Sequence, residues 1–485
     1  MSKGSISRRA FVGGVAAAGV AARAGRAQAA LGQGGAGAHV AAEAWPENGT
    51  LVPDEGWRLW LDRAAEWKQD AIFLPEDVSR DADGVVIGGG KPLPVNAPTG
   101  GWSVLRGDAE GSIAVTLPGT VEQHFWGKFG AGADGKMRPY TPEEYRYAAD
   151  DPVPQNGAYF GVSWWWRDIE IPAEMAGKRI FLHVRGAHLR AEVYLNEKLV
   201  GYSIMEELPF EAELTHAAKP GGRNVLAIRI TNPWGRFDWV DGLNEQWGAV
   251  KLYRSHGFGG LDRGMTISAH GAVRMKDVWV LNAIEPRRAT AYVELESSKV
   301  PVMSLDGDFD CRLIDPTTNM TLETIDRKFF VVTDQQVKGK ANSHVSSPLT
   351  KPAVSSTIIE IKIAHNDAKV WDLDAPKIYH LVLNWKDDAG NTDTRTIAFG
   401  FRSFAPEGLG ENALFRLNGR RMKIYTAISW GYWGINGMWP TPELAVKEVT
   451  QAKKLNLTCL NFHRNLAKED VLRAQIGRAS CRERV

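Results

Sequence analysis

"RIFLHVRGAHLRAEVYLNEKLVGY", residues 179–202, holds two strand signatures and a turn. Ile180, Leu182 and Val184 recur at every second position, the period of a strand with one apolar face. The following "AEVYLNEKLVGYS" reads as strand, tight turn at Asn196-Glu197, and strand. The pattern continues on both sides. In "WWWRDIEIP" (164–172), Trp164, Trp166, Asp168 and Glu170 alternate with Trp165, Arg167, Ile169 and Ile171. In "NVLAIRITN" (224–232), Val225, Ala227 and Arg229 alternate with Leu226, Ile228 and Ile230. Many short strands with Gly, Pro, Asp and Asn punctuation, and no helix-length period, predict a β-sandwich over 45–270.

The same texture returns over 271–404, opened by "VRMKDVWVLNAI" and closed by a hairpin around Asp388-Ala389-Gly390-Asn391. Its length suits an immunoglobulin-like sandwich of about 100 residues. After Phe404 the pattern changes. "RMKIYTAIS" (421–429) reads as one strand and "WGYWGINGMWP" as a glycine- and aromatic-rich loop. "TPELAVKEVTQAKKLNL" reads as the first clear helix, with Thr441 as N-cap, Pro442 in the first turn and Glu443 at the positive dipole end. Ala445, Val449 and Ala452 form its apolar stripe, and "LNLTCLNF" is a second strand. Strand, helix and strand make the opening βαβ unit of a parallel sheet. Glu443, Glu448 and Glu469 read as helix-surface charges.

Composition narrows the function. The 485 residues carry a formal net charge of +1 and no long basic block, which argues against a nucleic-acid surface. Eighteen tryptophans supply flat apolar faces of the kind that stack on sugar rings. Cys311, Cys459 and Cys481 are too few and too scattered for a disulfide framework or a metal knuckle. "DGDFD" (306–310) alternates carboxylates like a calcium loop but lacks that loop's glycine and closing glutamate, so it reads as a solvated strand or loop. No cofactor or metal site is expected. The glycine-rich runs lie in the N-terminal segment, away from any strand-to-helix phosphate loop.

That segment reads as an export signal. Ser7-Arg8-Arg9-Ala10-Phe11-Val12 is a twin-arginine pattern, a small apolar run spans Val12 to Ala22, and Ala27-Gln28-Ala29 offers a cleavage site. The run is about half of the roughly 20 residues that a membrane span needs. Residues 1–29 are therefore expected to direct the folded protein through the twin-arginine pathway of a bacterium, to the periplasm or beyond. Residues 30–44 form a flexible leader, and no membrane insertion is expected after cleavage.

Several motifs in order resemble glycoside hydrolase family 2, the β-galactosidases, β-glucuronidases and β-mannosidases. Residues 179–202 resemble the hairpin of its sugar-binding jelly roll, with Glu197 where glycine is usual. "GRNVLAIRITN" resembles the strand that follows. "VWDLDAPKIYHLVL" resembles the end of its immunoglobulin-like domain, and "FGFRSF" with "LFRLNGRRMKIY" the passage into its barrel. "AKKLNLTCLNFHRN" resembles its first barrel helix and second strand. "GFGGLDRGMTI" departs from the family, with Asp262 where tryptophan is usual and Gly264 where aspartate is usual.

The resemblance implies a mainly β chain: a jelly roll over 45–270, an immunoglobulin-like sandwich over 271–404, and the start of a truncated (β/α)8 barrel over 405–475. It implies a retaining β-glycosidase acting on O-glycosyl bonds of a carbohydrate, β-galactosidase-like. Such an enzyme needs two carboxyl groups about 5–5.5 Å apart, on late strands of a barrel of about 250 residues. The glutamates after Phe404 are Glu407, Glu411, Glu443, Glu448, Glu469 and Glu483, none preceded by asparagine. The catalytic pair is thus expected to be missing and the chain inactive. What remains is a substrate-binding rim: Trp430 and Trp433 after the first barrel strand, His463 and Arg464 after the second, and Asp241 and Asn244 from "DWVDGLNEQW". An arginine there can hold a nucleophile carboxylate ionised. A non-catalytic carbohydrate-binding protein of two sandwiches is the alternative. Assembly of identical copies is left open. The last ten residues, "IGRASCRERV" (476–485), read as the in-frame translation of a sequencing adapter.

Overall fold

The computed structural model describes the chain from Gly49 to Ile476, apart from residues 68–78, 81–85, 89–90, 93–94, 108–109, 126–129, 132–136, 139–158, 160, 205–207, 233–243, 248–249, 254–258, 262–263, 299–304, 332–345, 349–354, 388, 409, 411–412, 430–441, 463–466 and 468. It is mainly β. The expected export signal and leader, Thr441 and Asp262 lie outside the described residues.

Two antiparallel sheets enclose the first core. One is ordered Thr50–Val52, Met265–His270, Arg179–Val184, Phe210–Glu213. The other is ordered Ser346–Pro348, Lys198–Ser203, Arg190–Leu195, Arg223–Asn232, Gly161–Glu170, Trp57–Asp62, Ile113–Val115. Ile180, Leu182 and Val184 meet Trp165, Ile169, Leu226, Ile228 and Ile230 between them. Trp164 and Trp166 point to the opposite face, as alternation requires, yet they too are buried, in a second cluster with Trp67, Leu105 and Tyr194. A loop thus covers a face that alternation alone would leave to water.

The turn at Asn196-Glu197 closes the hairpin with both residues at positive φ, 50° and 71°. That is the two-residue turn whose twist matches paired strands. Asn196 suits it. Its amide nitrogen donates to Ala217 O and Asn224 Oδ1, both at 2.8 Å, and its Oδ1 accepts from Val225 N at 3.0 Å.

The second core lies between a sheet of Val273–Ile284, Arg287–Ser297 and Ser355–Ala364 and a sheet of Met320–Val331, Leu305–Asp315, Tyr379–Asp387 and Thr392–Phe399. Leu295, Leu313, Leu381 and Trp385 fill it. "DGDFD" falls inside Leu305–Asp315, hydrogen-bonded on both sides, with Phe309 buried. The short strand Ser346–Pro348 leaves this stretch of sequence to pair with Lys198–Ser203, so the two sandwiches are stitched through backbone.

A buried ion network joins them as well. Arg274 contacts Glu211 at 2.7 Å and Glu296 at 3.0 Å, and Arg179 contacts Glu213 at 3.1 Å and Glu296 at 2.9 Å. The Arg274 guanidinium lies 3.8 Å from the centre of the Phe181 ring.

Beyond Phe404 the expected strand over 421–429 is shorter. Arg420–Arg421 pairs with Leu414–Leu417 in one sheet, and the parallel strand begins only at Thr426. The backbone changes partners between them: Met422 N donates to Phe415 O at 2.8 Å, and Tyr425 N to Thr458 Oγ1 at 3.0 Å. Helix Pro442–Lys454 buries Ala445, Val449 and Ala452 against Leu460 and Val471. It is not the first helix. Val121–Phe125 precedes it, opened by a reciprocal cap in which Gln123 N donates to Thr120 Oγ1 at 3.2 Å and Thr120 N to Gln123 Oε1 at 2.8 Å.

Candidate functional site

Strands Thr426–Ser429 and Cys459–Phe462 run parallel, with Thr426 opposite Cys459 and Ser429 opposite Phe462. Their C-terminal ends are therefore level. Neighbouring strands lie about 4.8 Å apart, so Ser429 and Phe462 end side by side. In open and closed parallel sheets alike, the edge formed by strand C-termini is where ligands bind. The Thr458 hydroxyl pins the unit at its other end, donating to Lys423 O at 3.2 Å and accepting from Tyr425 N.

Of the six expected rim residues, Trp430, Trp433, Asp241, His463 and Arg464 lie outside the described residues. Asn244 opens the strand Asn244–Trp247, which pairs antiparallel with Val250–Tyr253. In sequence, Trp430 and His463 directly follow the two level strand ends.

Two of the described glutamates after Phe404 are held by arginines. Glu407 pairs with Arg416 at 3.3 Å, and Glu469 with Arg473 at 2.6 Å across one helical turn. Glu448 corrects the sequence reading. It is half-buried, not a solvated helix charge, and it hydrogen-bonds Ser429, the buried last residue of the first parallel strand. Burial pushes its carboxyl above the usual range, and the Ser429 bond offsets only part of that. The signal was in the sequence: 448 lies three residues after Ala445, on the same stripe as Val449 and Ala452. Because the side chain meets a strand from its own helix, its place is the layer between helix and sheet. Among the described residues no group of three or more His, Cys, Asp or Glu could hold a metal ion, and no helix is long and apolar enough to cross a membrane.

No family model matches the chain. Curated relatives do, among them the following two. A β-glucuronidase of Formosa agariphila is 22% identical over 277 residues, covering 57% of this chain and 26% of the relative. A β-galactosidase of Bacteroides ovatus is 23% identical over 267 residues, covering 54% and 27%. Among solved structures, a family 2 glycosyl hydrolase of Bacteroides cellulosilyticus superposes with a TM-score of 0.59 at 15% identity, over 89% of this chain and 45% of that one. A β-glucuronidase of Bacteroides uniformis gives 0.58 at 13% identity, over 89% and 41%. The resemblance to family 2 glycoside hydrolases therefore holds in sequence and in fold. The chain spans about a quarter of the length of these curated relatives.

Proposed function

We propose that this chain is the N-terminal part of an exported, retaining β-glycosidase that cleaves O-glycosyl bonds, and that residues 1–485 alone do not catalyse. The carrying observation is the parallel pair whose level ends open directly into Trp430 and His463. A two-sandwich lectin has no use for such a unit. In this reading Trp430 and Trp433 stack on a sugar ring, and Arg464 offers a charge-assisted hydrogen bond to a carboxylate nucleophile on a later strand. His463, Asp241 and Asn244 bond sugar hydroxyls. The acid/base and nucleophile belong to the barrel that follows. The ligand is a β-linked carbohydrate, and export rests on the twin-arginine pattern.

The test is binding of a neutral aryl β-galactoside to the whole chain and to a chain ending at Phe404. The proposal expects weak binding that disappears on truncation. Undiminished binding by the truncated chain supports a lectin and refutes the proposal.

A further inference from the structure

The outer face of the seven-stranded sheet holds a groove that the barrel entry does not use. Its floor follows from register. Ala227 lies beside Trp166 and Trp166 beside Arg58 across three neighbouring strands; one step along, Val225 lies beside Asp168. Small side chains at 225 and 227 leave a trough of about 500 Å³ between the Trp102–Gly107 segment and the Asn196-Glu197 turn.

Charge collects in it. Four cationic side chains of this face line the groove, Arg58, Arg106, Lys219 and Arg223, against the carboxylates of Asp168 and Glu197; Arg167 borders it, but its guanidinium donates to Pro53 O and Glu55 O beside the Trp57 ring. The excess of two positive charges stands out in a chain whose net charge is +1. Each acid stands beside an exposed cation. Arg223 holds Asp168 at 2.6 Å but is 72% exposed, and Arg106, 77% exposed, stands 4.0 Å from Glu197. Lys219 is exposed, and its ammonium has no acidic partner among the described residues. The half-buried ring of Trp102 supplies an apolar wall, held by edge contacts to Trp164 and Tyr194 with centroids at 5.6 and 5.1 Å.

We infer that this groove binds an acidic oligosaccharide, a chain of sugars bearing carboxylate or sulfate groups. Guanidinium and ammonium groups spaced along a trough match anions repeated along a polymer. The indole wall matches the apolar faces of the rings between them. A small free anion would use the charges and leave the wall empty. The site lies on the first sandwich and does not rest on the proposed catalytic reading.

The experiment is calorimetric titration of the full chain with a hexamer of galacturonate, its fully methyl-esterified neutral counterpart, and inorganic phosphate. The expected result is binding of the acidic hexamer, at least tenfold weaker binding of the ester, and no displacement by equimolar phosphate. Arg106→Gln with Lys219→Gln weakens the acidic hexamer at least tenfold, and Lys219→Gln alone shows the same direction. Both positions are exposed, and an unchanged thermal transition confirms the fold. Arg464→Ala leaves this binding unaltered, which separates it from the barrel rim. No binding of the hexamer, equal binding of the ester, displacement by phosphate, or indifference to the double substitution overturns the inference.

Discussion

Glu197 sits at φ 71° on an exposed turn, a backbone region that glycine enters without steric cost and glutamate does not. Glu197→Gly should raise stability by up to about 1 kcal/mol, since the left-handed penalty of about 1–2 kcal/mol exceeds the added chain entropy. The urea midpoint measures it, and a fall would contradict the reading. Gly201, four residues on, has the opposite demand. A methyl there would collide with Ala212 of the facing sheet and crowd Val193. Gly201→Ala should cost about 1–3 kcal/mol, the usual range for overpacking. The turn was legible because Asn-Glu between two alternating runs has few other uses. Glu448 was misread because a charge on an amphipathic helix defaults to solvent, and its distance from Ser429 in sequence hides their bond.

At the scale of elements, the joint between the sandwiches was the least legible part. Arg179, Phe181 and His183 occupy the outer face of their strand, which alternation assigns to water, but the second sandwich covers it. Arg274 and Glu211 stand 63 positions apart, beyond any local pattern. The joint contains a chain of contacts: Glu211 stands 3.1 Å from His183 Nδ1, and hydrogen bonds then link His183 Nε2 to Ser268 Oγ at 2.7 Å, Ser268 Oγ to His270 Nε2 at 2.7 Å, and His270 Nδ1 to Asp393 at 3.2 Å. Burial lowers the pKa of His183 and keeps its imidazole neutral, against the pull of Glu211. Burial also pushes Glu211 up, but Arg274 and His183 outweigh it and hold the carboxyl well below its usual range. Asp393 is likewise held low against burial, by His270, Arg395 and the Met275 amide.

The signs agree. A His with a lowered folded pKa stabilises fully above its unfolded value, near 6.5, and that contribution fades as pH falls. The depressed carboxylates stabilise above about 4.5, their ordinary value, and are lost below it. Stability should therefore decline as pH drops below about 6.5 and more steeply below about 4.5. Urea midpoints across that range measure it, and a rise on acidification would contradict it. Arg274→Leu leaves Glu211 with only His183 and Glu296 with only Arg179 as close partners, and should cost about 3–5 kcal/mol.

At the scale of the whole molecule, the mainly β fold was legible because strand period and turn residues repeat along the chain, and the motif order carried the resemblance that the relatives share. The candidate site was legible only as positions following strand ends; its side-chain geometry depends on packing that no spacing encodes. The stitching strand at Ser346–Pro348 was hidden because three residues carry no period. The central claim is that a matched pair of catalytic carboxylates is not supplied by these 485 residues. The direct measurement is release of phenol from aryl β-galactosides and β-glucuronides by the purified chain. No turnover above buffer is predicted; turnover that survives purification and disappears on substituting a glutamate of this chain would contradict it.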